Sequence, residues 1–161
     1  MFIIDKLATN TLERQQALQA VANIETLVQP EDPWTEKTLA EMLIQDSMHI
    51  LIVYKPEEEV GYKIVGYCLY QVVFEQAEIL RIGTHPDYQR QGIASQLFAT
   101  LNNELINNKV ESLLLEVRAD NAPALALYGR QGLTVIHKRK GYYQLPHQPS
   151  VDALIMQRVY D

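Results

Sequence analysis

The sequence predicts a mixed α/β fold (of the α+β kind) in which helices flank a central β-sheet, in the order ααβββαβαββ. Two amphipathic helical segments precede three strand-like segments, and a long helical segment then separates two strands as in a parallel crossover. The 161 residues are 47% hydrophobic and 21% charged, a composition typical of a globular protein with one core. We therefore expect a single domain over residues 1–161.

The first half supplies two helices and three strands. Asn10 to Glu13 has the form of a capping box and starts a helix with apolar residues at helical spacing. The stretch "QPEDPW" ends it, and Thr35 is the predicted N-cap of a second helix. The predicted strands are "HILIVY", "IVGYCLYQVVF" and "AEILRIGTH". A charged loop, "KPEEEVGYK", is expected between the first two, and no role is assigned to Glu57–Glu59.

The second half alternates helices and strands. A helix from about Gln91 to Asn108 places Ile93, Leu97 and Leu101 on one face. "SLLLEVRA" is expected to be a strand buried on both sides, and "NAPALALYGRQGL" a short helix that ends near Gly132. "TVIHKRKGYYQL" and "DALIMQRVY" are predicted to close the sheet.

Composition excludes several classes of function. The net charge of −6 argues against general binding to nucleic acid. Cys68 is the only cysteine, and no pair of histidines has metal-binding spacing, so we expect neither a disulfide nor a metal site. No signal peptide and no membrane-spanning run is recognised, and a cytoplasmic protein that does not bind membranes is expected.

Charge is unevenly distributed along the chain. Residues 1–80 carry 13 acidic and 5 basic side chains, whereas residues 81–161 carry 7 and 9. Such a division suits a protein with one cationic and one anionic partner, although chance also produces it.

The stretch "HPDYQRQGIASQLF" runs from a basic segment directly into a helix. Backbone N–H groups at a helix start have no intrahelical partners and favour an anion. Arg90 adds a positive charge, and Gly92 allows close approach of the backbone. An ordinary helix start after a proline turn is the alternative. Neither the P-loop nor the Rossmann glycine pattern is present.

Residues 89–94 have the form [QR]-x-x-G-x-[GA] and resemble the acetyl-CoA signature of the GCN5-related N-acetyltransferases. "LEVRADNAPALALY", "PW" at Pro33-Trp34 and "GYY" at Gly141–Tyr143 are similar to the ribosomal-protein-alanine (RimI-type) branch of that superfamily. The matching blocks cover residues 79–143 almost continuously. Departures occur at Thr84, at Gly129-Arg130 and at Leu133, where phenylalanine is usual.

The resemblance implies a fold, a co-substrate and a set of site residues. Ile82, Gly83 and Thr84 would pair their backbone with the pantetheine arm of acetyl-CoA. The pyrophosphate would lie on the backbone of Arg90, Gln91, Gly92, Ile93, Ala94 and Ser95. Asn121 would contact the co-substrate near the thioester, Glu116 would be the general base and Tyr128 the general acid.

The residues' own chemistry is compatible with these roles but leaves alternatives. Glu116 interrupts an apolar strand, where a carboxylate is costly unless it is paired or functional. A pair with Arg118 is the structural alternative. Tyr128 is either a core aromatic or a proton donor, and Asn121 is also the expected N-cap of its helix. Tyr142 and Tyr143 either pack on the sheet or shape the acceptor groove.

The function implied is acetylation of a protein N-terminal amine by direct attack in a ternary complex, with the N-terminal alanine of a small-subunit ribosomal protein as the favoured acceptor. Acetylation of a small amine or a lysine side chain is the alternative within the class. A non-catalytic acyl-CoA sensor is the alternative from another class.

Overall fold

The computed structural model describes residues 1–59 and 61–161, which form a seven-stranded mixed sheet with helices on both faces. The strands are β1 (Ile3–Lys6), β2 (Met48–Glu57), β3 (Gly61–Val73), β4 (Gln76–Thr84), β5 (Ser112–Arg118), β6 (Thr134–Tyr143) and β7 (Val151–Val159). The helices are α1 (Thr11–Val28), α2 (Glu36–Met42), α3 (Ile93–Asn107) and α4 (Ala122–Arg130), and a 3₁₀ turn covers Pro86–Tyr88. The strand order is β1-β2-β3-β4-β5-β7-β6.

The sheet is antiparallel except where β4 pairs with β5. Helix α3 connects these two parallel strands along the chain, as the predicted crossover requires. The mixed fold class is therefore confirmed. The first strand, β1, was not predicted, because its four residues include the charged Asp5 and Lys6 and give too short an alternation to recognise. It pairs with the edge of β2.

Two core clusters lie on opposite faces of the sheet. On one face α1 and α2 pack Leu18, Val21 and Leu39 against Ile52 and Leu69. On the other face α3 packs Leu97, Phe98 and Leu101 against residues such as Leu113 and Cys68. The predicted caps hold: Asn10 accepts from the N–H groups of Leu12 and Glu13, and Thr35 accepts from Thr38.

Two local predictions are corrected. The charged stretch "KPEEEVGYK" is largely a hairpin, since Lys55 pairs with Lys63 and Glu57 with Gly61. Cross-strand pairing overrides the polar composition there. Val60 lies outside the described residues. On strand β5 only the side chains that point to the α3 face are fully buried, since those on the α1 face are only partly covered.

No helix in the described ranges is both long and apolar enough to span a bilayer. Within the same ranges, no three His, Cys, Asp or Glu side chains are grouped so that they could hold a metal ion.

Candidate active site

The candidate site begins where β4 and β5 separate. Their ladder ends at the pair Ile79 and Leu115, although both strands continue. At the same point the register between β3 and β4 shifts: Tyr70 pairs with Ile79 and Leu69 pairs with Arg81. The extra residue, Leu80, forms a bulge, and a bulge bends its strand. The bend turns the end of β4 away from β5 and opens the sheet.

A cleft of about 590 Å³ occupies this opening. The loop after α1 contributes Glu31, Asp32 and Trp34, β4 contributes Glu78 to Ile82, and β5 contributes Leu115 to Arg118. Asn121 and Tyr128 line it from α4, and residues 142–145 line it from the end of β6. Strand pairing and two loops thus bring together segments that are far apart in the sequence.

Glu116 and Tyr128 reach the cleft from opposite faces of the sheet. Leu115 and Val117 point into the α3 cluster, so the alternation of β5 directs Glu116 to the α1 face. Tyr128 packs against the α3 cluster, with its ring centroid 5.8 Å from that of Phe98. The open sheet lets both side chains face the same space.

Glu116 is held on the side of β6. Its Oε2 accepts a hydrogen bond of 3.1 Å from the Tyr143 hydroxyl, and its Oε1 lies 3.6 Å from the Arg139 guanidinium. The expected alternative partner, Arg118, instead donates two hydrogen bonds of 3.0 Å to Asp120 and lies 3.7 Å from Glu31. The structural alternative of a Glu116–Arg118 pair is therefore wrong.

The surroundings of Glu116 leave it accessible. Its side chain is 27% exposed, and that of Arg139 is 49% exposed. Burial, followed by the charge of Glu116, raises the pKa of Tyr143, which therefore stays a donor at neutral pH. A carboxylate that is oriented by a hydroxyl and still open to the cleft can accept a proton.

Glu78 lies beside Glu116 in the cleft and was missed by sequence reasoning. Its carboxyl is partly shielded from solvent, and this shielding, together with the charge of Glu116, raises the pKa of Glu78, while Arg139 opposes the shift. A glutamate between the apolar residues Ala77 and Ile79 was the available signal.

Tyr128 is positioned by the core. Burial raises the pKa of its hydroxyl to about 12, so the group is protonated over the physiological range. Asn121 caps α4 as expected, since its side chain accepts from the Ala124 N–H at 3.3 Å. Asn121 also faces the cleft, so capping and a ligand contact are compatible.

The predicted anion loop lies outside the cleft lining, at the start of α3. Gly92 has φ +80°, and Arg90 has φ +63°. The first helical hydrogen bond runs from the Gln96 N–H to the Gly92 carbonyl, so the N–H groups of Ile93, Ala94 and Ser95 have no acceptor in the helix. No side chain caps this end, no acidic residue lies in its first turn, and a Cβ at Gly92 would meet nothing within 4 Å. The backbone there is open to an anion.

The end of β4 carries Ile82, Gly83 and Thr84, of which Ile82 lines the cleft. Gly83 is opposite Tyr67, and a Cβ on Gly83 would lie 2.6 Å from the Tyr67 hydroxyl oxygen. Glycine is therefore required here for close packing. The C-terminal end of α4 is also linked to the first turn of α3, since the Gln131 side-chain amide donates a hydrogen bond of 3.4 Å to the Ser95 hydroxyl.

Comparison with known proteins identifies the family of this chain. A model described as the acetyltransferase (GNAT) family matches residues 18–133, more than half of the chain. The ribosomal protein bS18-alanine N-acetyltransferase of Escherichia coli strain K12 is 36% identical over 124 residues, covering 77% of this chain and 79% of that protein.

Solved structures agree on the fold. The crystal structure of the ribosomal-protein-S18-alanine N-acetyltransferase from Escherichia coli superposes with a TM-score of 0.80 and 31% identity, covering 99% of this chain and 94% of that one. Arabidopsis thaliana NAA60, crystallised with acetyl-CoA, has a TM-score of 0.80 at 15% identity, with 99% and 98% covered. The chain belongs to the GNAT family of N-acetyltransferases.

Proposed function

We propose that the chain transfers the acetyl group of acetyl-CoA to the α-amino group of a protein N-terminus, with the alanine start of a small-subunit ribosomal protein as acceptor. The observation that carries this proposal is that Glu116 and Tyr128 enter one cleft from opposite faces of the sheet. An acceptor on the α1 face would then meet the base, and the sulfur of the co-substrate on the α3 face would meet the acid.

The described residues fit acetyl-CoA. The unpaired end of β4 leaves backbone groups of Ile82 to Thr84 free of β5, and a pantetheine arm pairs with such an edge as an added strand. The open backbone of Arg90–Ser95 would bind the pyrophosphate, and the N-terminal end of α3 favours its charge. Asn121 would lie near the thioester.

Acetyl-CoA supplies an acetyl group activated as a thioester. Glu116 accepts a proton from the incoming ammonium, directly or through water, so that the neutral amine can attack. As the N–C bond forms and the C–S bond breaks, the Tyr128 hydroxyl gives its proton to the sulfur. The proton that nitrogen releases on becoming an amide restores the tyrosine through solvent. Alignment in a ternary complex makes a covalent enzyme intermediate unnecessary.

An α-amino acceptor suits this site. Its pKa lies near 8, whereas that of lysine is about 10.4, so its ammonium form loses a proton to a carboxylate more readily. Four acidic and two basic side chains line the cleft, and this net negative charge favours an ammonium group. The relatives named for the bS18 alanine support the ribosomal acceptor. Such an acceptor would place the activity in the cytoplasm.

A peptide panel tests the proposal by thiol release from acetyl-CoA. One peptide begins with alanine and contains no lysine, a second has a blocked N-terminus and an internal lysine, and small amines form a third set. We expect release with the first peptide and little with the others. Release only with lysine or small amines would overturn the acceptor class, and binding of acetyl-CoA without release to any amine would indicate the sensor.

A further inference from the structure

A fully buried carboxylate lies behind the acceptor side of the cleft. Glu25, on α1, has no solvent exposure. The Tyr67 hydroxyl donates a hydrogen bond to Glu25 Oε2, and the Trp34 backbone N–H donates one of 3.0 Å to Oε1. The Arg81 guanidinium lies 3.6 Å from the same Oε1. Three donors from three different segments therefore converge on one side chain.

Arg81 continues this network to the surface of the cleft. Its guanidinium carbon lies 4.6 Å from the centroid of the Trp34 ring, and its Nη2 donates a hydrogen bond of 3.0 Å to Asp32. Arg81, Trp34 and Asp32 all line the cleft. The loop after α1 is thus attached to β4 by stacking and an ion pair, and to α1 through Glu25.

The network also reaches the strand proposed for the co-substrate. Tyr67, which is fully buried, packs over Gly83 at the end of β4. Its hydroxyl therefore ties Glu25 to the unpaired half of that strand. Burial, followed by the charge of Glu25, raises the pKa of Tyr67, so the hydroxyl remains a donor.

A buried ion pair adds little net stability compared with an apolar replacement, because desolvation of the charges opposes their attraction. Its advantage is geometric, since each donor is held at a defined place. The loop after α1 needs such a constraint, because its backbone has few internal hydrogen bonds, such as the one from the Asp32 N–H to the Gln29 carbonyl.

We propose that Glu25 is a positioning residue for the acceptor: by holding Trp34 and Arg81, it sets the shape of the α1 side of the cleft. This inference rests on the proposed function for the identity of the acceptor. It does not make Glu25 a catalytic residue, because Glu25 is buried beneath the cleft.

Trp34 provides a direct readout, since it is the only tryptophan in the chain. Glu25→Gln keeps the size of the side chain and removes its charge. We expect a red-shifted Trp34 emission and stronger quenching by acrylamide, with an unchanged far-ultraviolet circular dichroism spectrum. Glu13→Gln removes the charge of an exposed side chain on the same helix. It is the matched control and should leave both signals unaltered.

Steady-state kinetics separates a positioning role from a general loss of folded structure. For Glu25→Gln we expect the KM for the alanine-starting peptide to rise about tenfold, because small displacements of binding groups are costly. The kcat should change less than about twofold, since this variant leaves Glu116 and Tyr128 in place. The Kd for acetyl-CoA should change less than the KM, because the α3 loop is untouched and Tyr67 still packs over Gly83. Tyr67→Phe removes one donor and should move the fluorescence and the KM in the same direction by less.

Unchanged quenching or an unchanged peptide KM in folded Glu25→Gln would overturn the proposal. If that variant does not fold, folded Tyr67→Phe takes its place under the same criterion. The fluorescence needs no turnover, so absence of transfer to every amine would count against the proposed function and leave the test of Trp34 positioning intact.

Discussion

Two glutamates, one buried behind the α1 side of the cleft and one lining its β5 side, have different surroundings. Glu25 is fully buried, and donors from Tyr67, Trp34 and Arg81 occupy its two oxygens. Glu116 is partly exposed and is held by Tyr143 and Arg139, which both come from the exposed edge strand β6. A carboxylate surrounded by donors maintains a shape, whereas one that is oriented but open to solvent can exchange a proton. We therefore expect the α1 side of the cleft to hold the acceptor in position and the β5 side to carry out the chemistry.

The largest effect is expected on the chemical side. Glu116→Gln should lower kcat by about 10² to 10⁴, the usual contribution of a general base, with little loss of acetyl-CoA binding or thermal stability. Steady-state kinetics and calorimetry measure these quantities. Glu111→Gln, an exposed charge removal just before β5, is the control. An unchanged kcat for Glu116→Gln would remove Glu116 as the base.

The partner on α4 should show the next largest effect. Tyr128→Phe is expected to lower kcat by about 10²-fold, because the sulfur loses its proton donor. Since burial raises the pKa of Tyr128 to about 12, the hydroxyl stays protonated between pH 6 and 9, and the deficit should be constant over that range. Tyr62→Phe, at an exposed tyrosine, is the control. Equal rates for Tyr128→Phe and the unsubstituted protein would contradict the acid role.

The positional side can be tested through its packing. Gly83→Ala would place a Cβ 2.6 Å from the Tyr67 hydroxyl oxygen. We expect it to lower the free energy of unfolding by about 1 to 3 kcal/mol, as at other overpacked sites. Gly129→Ala, in helix α4 with nothing within 4 Å of the added Cβ, should instead raise the free energy of unfolding by about 0.5 to 1 kcal/mol. Urea denaturation compares the two. Equal stability of both variants would refute the close packing at Gly83.

The smallest effect concerns Glu78. Shielding from solvent and the nearby charge of Glu116 raise its pKa in the folded protein. The ionised form is therefore disfavoured by folding, and stability falls as pH rises through the raised value. Glu78→Gln should stabilise the protein at neutral pH, by less than about 1 kcal/mol because solvent screens the pair.

The advantage of Glu78→Gln should shrink as pH falls through the raised pKa and vanish below the ordinary glutamate range. Denaturation at a series of pH values measures it. A gain of equal size at low and neutral pH would show that charge is not its cause.

The sequence predicted local features well where the cause is local. Asn10, Thr35 and Asn121 cap their helices as expected, because a short polar side chain satisfies N–H groups two or three residues away. The alternation that puts Leu113 and Leu115 on one face and Glu116 on the other was also readable. The first strand was missed because its pairing partner, β2, is distant in the sequence. The hairpin within "KPEEEVGYK" was missed because cross-strand pairing there overrides the polar composition.

The sequence by itself determined the fold class, the helix start open to an anion and, through family resemblance, the roles proposed for Glu116 and Tyr128. Only the tertiary structure decided that the bulge at Leu80 opens the sheet, that Glu116 turns to Tyr143 and Arg139, and that Glu25 meets Tyr67 across 42 residues of chain. The physical reason is that tertiary packing determines which donors lie within hydrogen-bond distance of a carboxylate, and local periodicity carries no information about donors from distant parts of the chain.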